Sequence, residues 1–212
     1  MAQDLRLREL RISEVLARYQ QLRLVPTKDG VLSLGGTISF EASALGSRTI
    51  SDSYEITIRV PGKYPFELPI IYETSGRIPK NFHKLEGNAL CLGAPIRLRL
   101  LTHRNPSLLN FIEGVIVPYL YGYSLFEAGE AMPFGELRHG TEGLLDDWAE
   151  MLGFADSKVG AALLQAVKQK KRIANKRDCP CGSGLRLGCC HNRKANALRI
   201  ALHPHLARRH RP

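Results

Sequence analysis

The stretch CPCGSGLRLGCCH, residues 179 to 191, constrains this chain more tightly than any other part of it. Cys179 and Cys181 stand one residue apart, Gly182, Ser183 and Gly184 permit a tight turn, and Cys190 with His191 closes the set. Three thiolates and one imidazole gathered in so short a loop suit tetrahedral Zn²⁺. Four protein ligands leave no open position for a substrate, so the expected site is structural. In a module this small, metal binding is expected to supply most of the folding energy. Cys189 is surplus and can exchange with Cys190 as the ligand. A redox pair of adjacent cysteines is the rival reading.

Charge draws a boundary just upstream of this cluster. Residues 1–156 hold 16 Lys+Arg and 19 Asp+Glu, a net −3, whereas residues 157–212 hold 14 Lys+Arg against Asp178 alone, a net +13. The basic character therefore belongs to the C-terminal part. Four segments follow: a main domain over 1–156, a basic helical connector over 157–177, the zinc module over 178–194, and a basic tail over 195–212 expected to be poorly ordered. The basic residues from Lys168 to Lys176 and from Arg193 to Arg211 can contact nucleic acid or a ribosomal surface, or can simply be solvated. No aromatic residue follows Phe154, so any such binding would rest on phosphates and be salt-sensitive and sequence-blind.

No apolar run approaches the ~18 residues of a membrane span. The start, MAQDLRLREL, has no apolar core of a secretory signal. The cytoplasm is the expected compartment, and there a disulfide reading of the five cysteines is disfavoured. In the main domain, Leu5, Ile12, Val15, Leu16 and Tyr19 fall at helical spacing. VLSLGGTISFEA reads as a strand weakened by Gly35 and Gly36, SYEITIRV as a strand of strict alternation, and IIYET as a third. Loop-like sequence from Gly76 to Asn88 leads to Cys91. After it come an apolar helix, SLLNFIEGVIV, expected to end at Pro118, and a helix EGLLDDWAEML capped by Thr141, with Trp148 in its core face. A helix, then a meander of about three strands, then helices make an α+β domain with an antiparallel sheet.

KYPFELPIIYET, then PKNFH, then EGNALCLG resembles the core of the ubiquitin-conjugating enzymes. Tyr64, Pro65, Phe66 and Pro69 match that family's turn after its second strand, and Gly87, Leu90, Cys91 and Leu92 match its active-site stretch. The resemblance covers roughly residues 1–155. It implies the family's fold, with an N-terminal helix, an antiparallel meander, an active-site loop and C-terminal helices, and a thioester-forming role for Cys91. The departures are specific. The family's His and Asn lie ten and eight residues before the cysteine, whereas this chain has Asn81 and His83 there, with the types exchanged; Gly93 replaces an acidic residue, and RLRLLTHRNPS replaces a Trp-Ser-Pro segment. These features are similar to divergent bacterial relatives, some of which act in anti-phage CBASS operons and join a partner's C-terminal carboxyl to a target. The partner there can be a cyclic-oligonucleotide synthase. The cysteine cluster resembles the SEC-C motif appended to many bacterial proteins, with ligands at the positions of Cys179, Cys181, Cys190 and His191.

Thiolate-for-thiolate exchange suits a cysteine, which is strongly nucleophilic and partly ionised near neutral pH. His83, Lys84, Arg97 and Arg99 favour the thiolate if they face it. His83 or Asn81 can steady the tetrahedral oxyanion, and His83 can instead take the proton of the attacking amine. His103 ranks third. The bland reading of Cys91 is a small buried hydrophobe between two leucines. Two rival functions follow: a catalytically silent adaptor of the same fold, or a nucleic-acid- or ribosome-associated protein acting through its basic tail. No Gly-rich nucleotide loop is present, so an activating enzyme would act in trans.

Overall fold

The computed structural model describes residues 7–131, 149 and 153–202. The helix expected from Thr141, with Trp148, lies outside the described residues except for Ala149, as do residues 203–212. The chain forms two compact units. One comprises residues 1–93 and 104–135, the other residues 94–103 and 136–212.

The first unit begins with helix α1, Ile12–Arg18, which buries Ile12 and Val15 and carries Glu14 in its first turn and Arg18 in its last. That charge order complements the helix dipole. Four strands follow: β1 Leu22–Leu24, β2 Leu32–Ala42, β3 Ile50–Val60 and β4 Ile70–Glu73. They pair antiparallel in the order β1-β2-β3-β4. The fold is thus α+β with a four-stranded antiparallel sheet, one strand more than the meander expected from sequence. The alternation of Tyr54, Ile56, Ile58 and Val60 is observed: all four are buried.

Gly35 and Gly36, read from sequence as a weakness in β2, are what admits the extra strand. Gly36 pairs with Leu22 and has a φ of 132°, and a Cβ there would sit 2.1 Å from the Gln21 carbonyl oxygen. A Cβ at Gly35 would sit 2.8 Å from Val25 Cγ2. Only glycine permits β1 to approach β2 this closely.

Helices cover the sheet after the Cys91 loop. Short helix α3, Leu108–Phe111, runs through a π-helical turn, Ile112–Ile116, into α4, Val117–Glu127. Pro118 therefore does not end the helix, as expected from sequence. It lies in the first turn of α4, where a missing N–H costs least, and the wider π turn precedes it. α4 docks on β2 and β3 through buried Leu120, Tyr121 and Leu125. Tyr54 and Ser124 share a 2.7 Å hydrogen bond there, and Ser124 donates to Asp52 Oδ2 at 2.7 Å.

The second unit contains α2, Pro95–Arg104, whose residues up to His103 belong to it, then α5, Ser157–Lys168, α6, Lys171–Ala174, α7, Leu187–Cys190, and α8, Asn192–Leu202. Ile96 and Leu100 of α2 cluster with Leu163, Leu164 and Val167 of α5, with Cys179 and Leu187, and with Ala195, Leu198 and Ala201 of α8. Two differences from the sequence reading stand out. The connector supplies a helix of this core, and residues 195–202 of the expected tail form most of α8. Among the described residues, no helix is long and apolar enough to cross a membrane.

Candidate functional site

Cys91 ends a small hairpin docked on β4. Lys84 and Leu90 form an antiparallel bridge, and the Leu85 amide donates to Ala89 O at 2.8 Å. Gly87 and Asn88 make the turn with φ of 82° and 65°. The Leu90 amide then reaches Ile71 O on β4 at 2.8 Å, and the Cys91 amide reaches His83 O at 2.7 Å. His83 and Cys91 therefore lie opposite each other, one step beyond the Lys84–Leu90 bridge. Leu90 is buried, whereas Cys91 is half-buried. Cys91 does not share the burial of its neighbour.

His83 is held in an uncommon conformation, with a φ of 34°. For a residue other than glycine this costs on the order of 1–3 kcal/mol, and it persists only when surrounding contacts dictate it. Here its carbonyl accepts from the Cys91 amide and from the Tyr119 hydroxyl at 3.1 Å, while its ring meets the edge of Phe82 at 5.0 Å between centroids. Phe82 also packs on Tyr119, Tyr123 and Phe126 of α4. Tyr119 is thus a site residue that the sequence reading missed. Its signal was the aromatic spacing Tyr119, Tyr123, Phe126 along a helix assumed to stop at Pro118. Burial, and second the charge of Cys91, raise the Tyr119 pKa, keeping it a neutral donor.

The other nominated residues divide. Asn81 is exposed, in the turn closed by the Phe82 amide on Pro79 O at 3.2 Å. Lys84 does not serve the thiol. Its ammonium donates to Ile78 O at 2.6 Å and lies 3.8 Å from Glu73 Oε2, with side-chain exposures of 7% for Lys84 and 0% for Glu73. Glu73 also accepts from the amides of Ser75 at 2.8 Å, Ile78 at 3.2 Å and Arg77 at 3.3 Å, and from the Ser75 hydroxyl. Burial pushes its carboxyl up, but these hydrogen bonds outweigh burial and leave it below the ordinary glutamate value. Arg97, Arg99 and His103 belong to the second unit, where Arg99 Nη1 donates to Ala201 O at 3.2 Å.

In the second unit, Cys179, Cys181, Cys190 and His191 bring their ligand atoms within 4.8 Å of one another, an arrangement that can hold a metal ion. Cys179 Sγ and Cys190 Sγ lie 3.2 and 3.1 Å from His191 Nδ1, and Cys181 Sγ lies 3.6 Å from Cys190 Sγ. The backbone builds this directly. Gly182 and Gly184 turn at φ of 77° and 71°, the Cys179 amide donates to Leu185 O, and Asp178 bridges Arg186. α7 then delivers Cys190 and His191 together. Cys189, left open as a replacement ligand, is exposed and outside the group. Burial raises the Cys179 thiol to about 11, while the hydroxyl and amide of Ser183 lower Cys181 to about 6. The module also has more core than its motif suggests, since Cys179 and Leu187 sit among the side chains of α5 and α8.

In comparisons with known proteins, no family model matches the chain and no curated protein matches it.

Proposed function

We propose that the first unit is a ubiquitin-conjugating-like enzyme that carries a partner's C-terminal carboxyl as a thioester on Cys91, and that the second unit is a zinc-stabilised SEC-C-like docking module. The observation that carries this reading is the opposition of half-buried Cys91 and strained His83 across a hairpin fixed to β4. A helix, an antiparallel meander and a cysteine loop in that order also favour it.

In the first step the Cys91 thiolate attacks the carbonyl of an incoming thioester and expels the donor's thiolate. In the second, an amine attacks the new thioester, the C–S bond breaks, and an amide leaves with Cys91 regenerated as thiolate. The amine's surplus proton goes to His83 or to water. A donor fixed on the tetrahedral oxyanion would contribute roughly 3–4 kcal/mol, a role open to His83 or Asn81. The Cys₃His set fits zinc by its donor chemistry: bound there, the ion would supply folding energy and no catalytic step. The acyl partner of this reading is a protein with a free C-terminal carboxyl, such as a cyclic-oligonucleotide synthase in anti-phage signalling, and the setting is the cytoplasm.

The test is intact mass under non-reducing conditions after co-expression with neighbouring genes. Wild type is expected to carry a thiol-labile adduct. Cys91→Ser is expected to carry an alkali-labile, thiol-stable one, and Cys91→Ala none. Absence of any adduct, with Cys91 also slow toward an alkylating reagent, would overturn the enzyme reading in favour of the adaptor.

A further inference from the structure

All the surplus charge of the chain lies in the second unit. That unit holds 17 Lys+Arg against 7 Asp+Glu, a net +10, whereas the first holds 13 of each. Every acid of the second unit could pair with one of its cations, and ten cations would still remain. The ion pairs between described residues, from Arg11–Glu14 to Lys84–Glu73, all lie in the first unit. Surplus charge of one sign repels itself and destabilises a compact body, and a bound polyanion relieves that repulsion.

The fold gathers part of this charge around the cysteine cluster. Lys171 and Arg172 stand on α6, and Lys176 and Arg177 follow its last turn. The Gly188 amide donates to Asn175 O at 3.1 Å and the Leu187 amide to Arg177 O at 2.9 Å, while Asp178 bridges Arg186. Asn175 Nδ2 donates to Asn192 Oδ1 at 3.2 Å, which brings in the start of α8 and Arg193. All six cations are exposed. Cys179 follows the first of these segments, and Cys190 and His191 lie between Arg186 and Arg193. The metal-ligand candidates thus tie three cation-bearing segments together, and a bound ion would fix their spacing.

The composition of this surface selects its partner. Residues 155–212 contain no Phe, Tyr or Trp to anchor a protein interface, and they are rich in Lys, which such interfaces deplete. A membrane-bound helix presents an apolar face outward, but α5 and α8 turn Leu163, Leu164, Val167, Ala195, Leu198 and Ala201 into their shared cluster. A phosphodiester backbone needs neither feature, only cations at its phosphates. We propose that Lys171, Arg172, Lys176, Arg177, Arg186 and Arg193 form a nucleic-acid-binding surface, organised by the metal site, that holds the phosphate backbone of a polynucleotide without reading its sequence. This names what the docking module of the proposed function takes, and it does not depend on Cys91 carrying an acyl group.

The test uses the full, metal-loaded chain with fluorescein-labelled RNA single strands and DNA duplexes of about 12 nucleotides, read by anisotropy from 50 to 200 mM salt. Wild type is expected to bind regardless of base sequence, and the tighter of the two ligands identifies the source of the backbone. Six phosphate contacts to a single strand give a log–log salt slope of about −4, a loss of roughly 300-fold across that range. Arg172→Gln with Lys176→Gln is expected to weaken binding roughly tenfold and to make the slope shallower by about 1.4. Arg23→Gln with Lys28→Gln, which removes the same charge from exposed positions of the first unit, is expected to leave binding within about twofold. Chelation should weaken binding roughly tenfold, and Cys91→Ala should leave it unchanged. No salt-dependent binding by wild type, equal losses in the two paired variants, or unchanged binding after chelation would overturn the proposal. Competition by charge-matched polyglutamate as effective as by RNA would overturn it in favour of an acidic polypeptide.

Discussion

Replacing Glu73 by Ala is expected to cost more than any single change on the exposed face of the first unit. The carboxylate is fully buried at the side chain and is the hub of residues 73–78. Without it, the Ser75 and Arg77 amides can recover water, because both residues are accessible. Ile78, at 1% exposure, cannot, and a stranded buried donor costs about 1–3 kcal/mol. The Lys84 ammonium would keep only the Ile78 carbonyl, and breaking a buried pair from one side typically costs about 3–5 kcal/mol in total. Against a typical domain stability of about 5–15 kcal/mol, this is a large fraction. Urea unfolding would measure it, and the coupling to Lys84→Met should recover about 2–3 kcal/mol in the double variant. Because Lys84 pairs with Leu90, the Cys91 loop should loosen too, and alkylation of Cys91 should accelerate. A Glu73→Ala protein within about 0.5 kcal/mol of wild type, with Cys91 alkylating at the wild-type rate, would refute this reasoning.

Two further expectations concern the ionic contacts and the metal. Burial opposes ionisation of Asp52, but hydrogen bonds from Arg77, Ser124 and the Ser53 amide outweigh it and hold its pKa at about 2. A carboxyl depressed in the folded state stabilises above its ordinary value near 3.9 and loses that contribution as pH falls toward 2. After screening this is on the order of 1–2 kcal/mol, and Asp52→Asn should flatten that acid limb in thermal melts between pH 4 and 2. For the cysteine cluster, Cys189→Ser is expected to retain one equivalent of metal by elemental analysis and Cys190→Ser to lose it. Chelation should reduce the far-ultraviolet helical signal of the second unit, and an unchanged spectrum with metal removed would refute a structural role.

The elements that sequence exposed most clearly were those governed by local chemistry. β3 alternated without exception, and the four metal-ligand candidates lay within thirteen residues, so neither needed distant contacts to be seen. The missing features depended on distant partners. Gly36 reads as a flaw until the Gln21 carbonyl is seen pressed against it. Pro118 reads as a stop because the one-residue shift of a π turn leaves no mark on composition. Lys84 reads as a cation available to Cys91, yet its destination is set by Glu73 on β4, eleven residues earlier. Residues 195–202 read as part of a basic tail because the stretch from 195 to 212 carries four arginines and three histidines and no acid, although Ala195, Leu198 and Ala201 fall on one buried face.

The placement of α2 has a consequence for how the chain is made. Ile96 and Leu100 leave the ribosome directly after the Cys91 loop, but among the described residues the side chains of the cluster they join begin more than fifty residues later with Phe154. At about 5–20 residues per second, this helix waits roughly 3–11 s before those partners exist, and the partners on α8 come later still. The first unit can gather its sheet and helices during that interval, since all of its strands have already emerged. The second unit closes last and around its earliest piece. Its assembly is therefore the step at which a stalled or metal-starved chain would expose an apolar helix to chaperones or to other nascent chains.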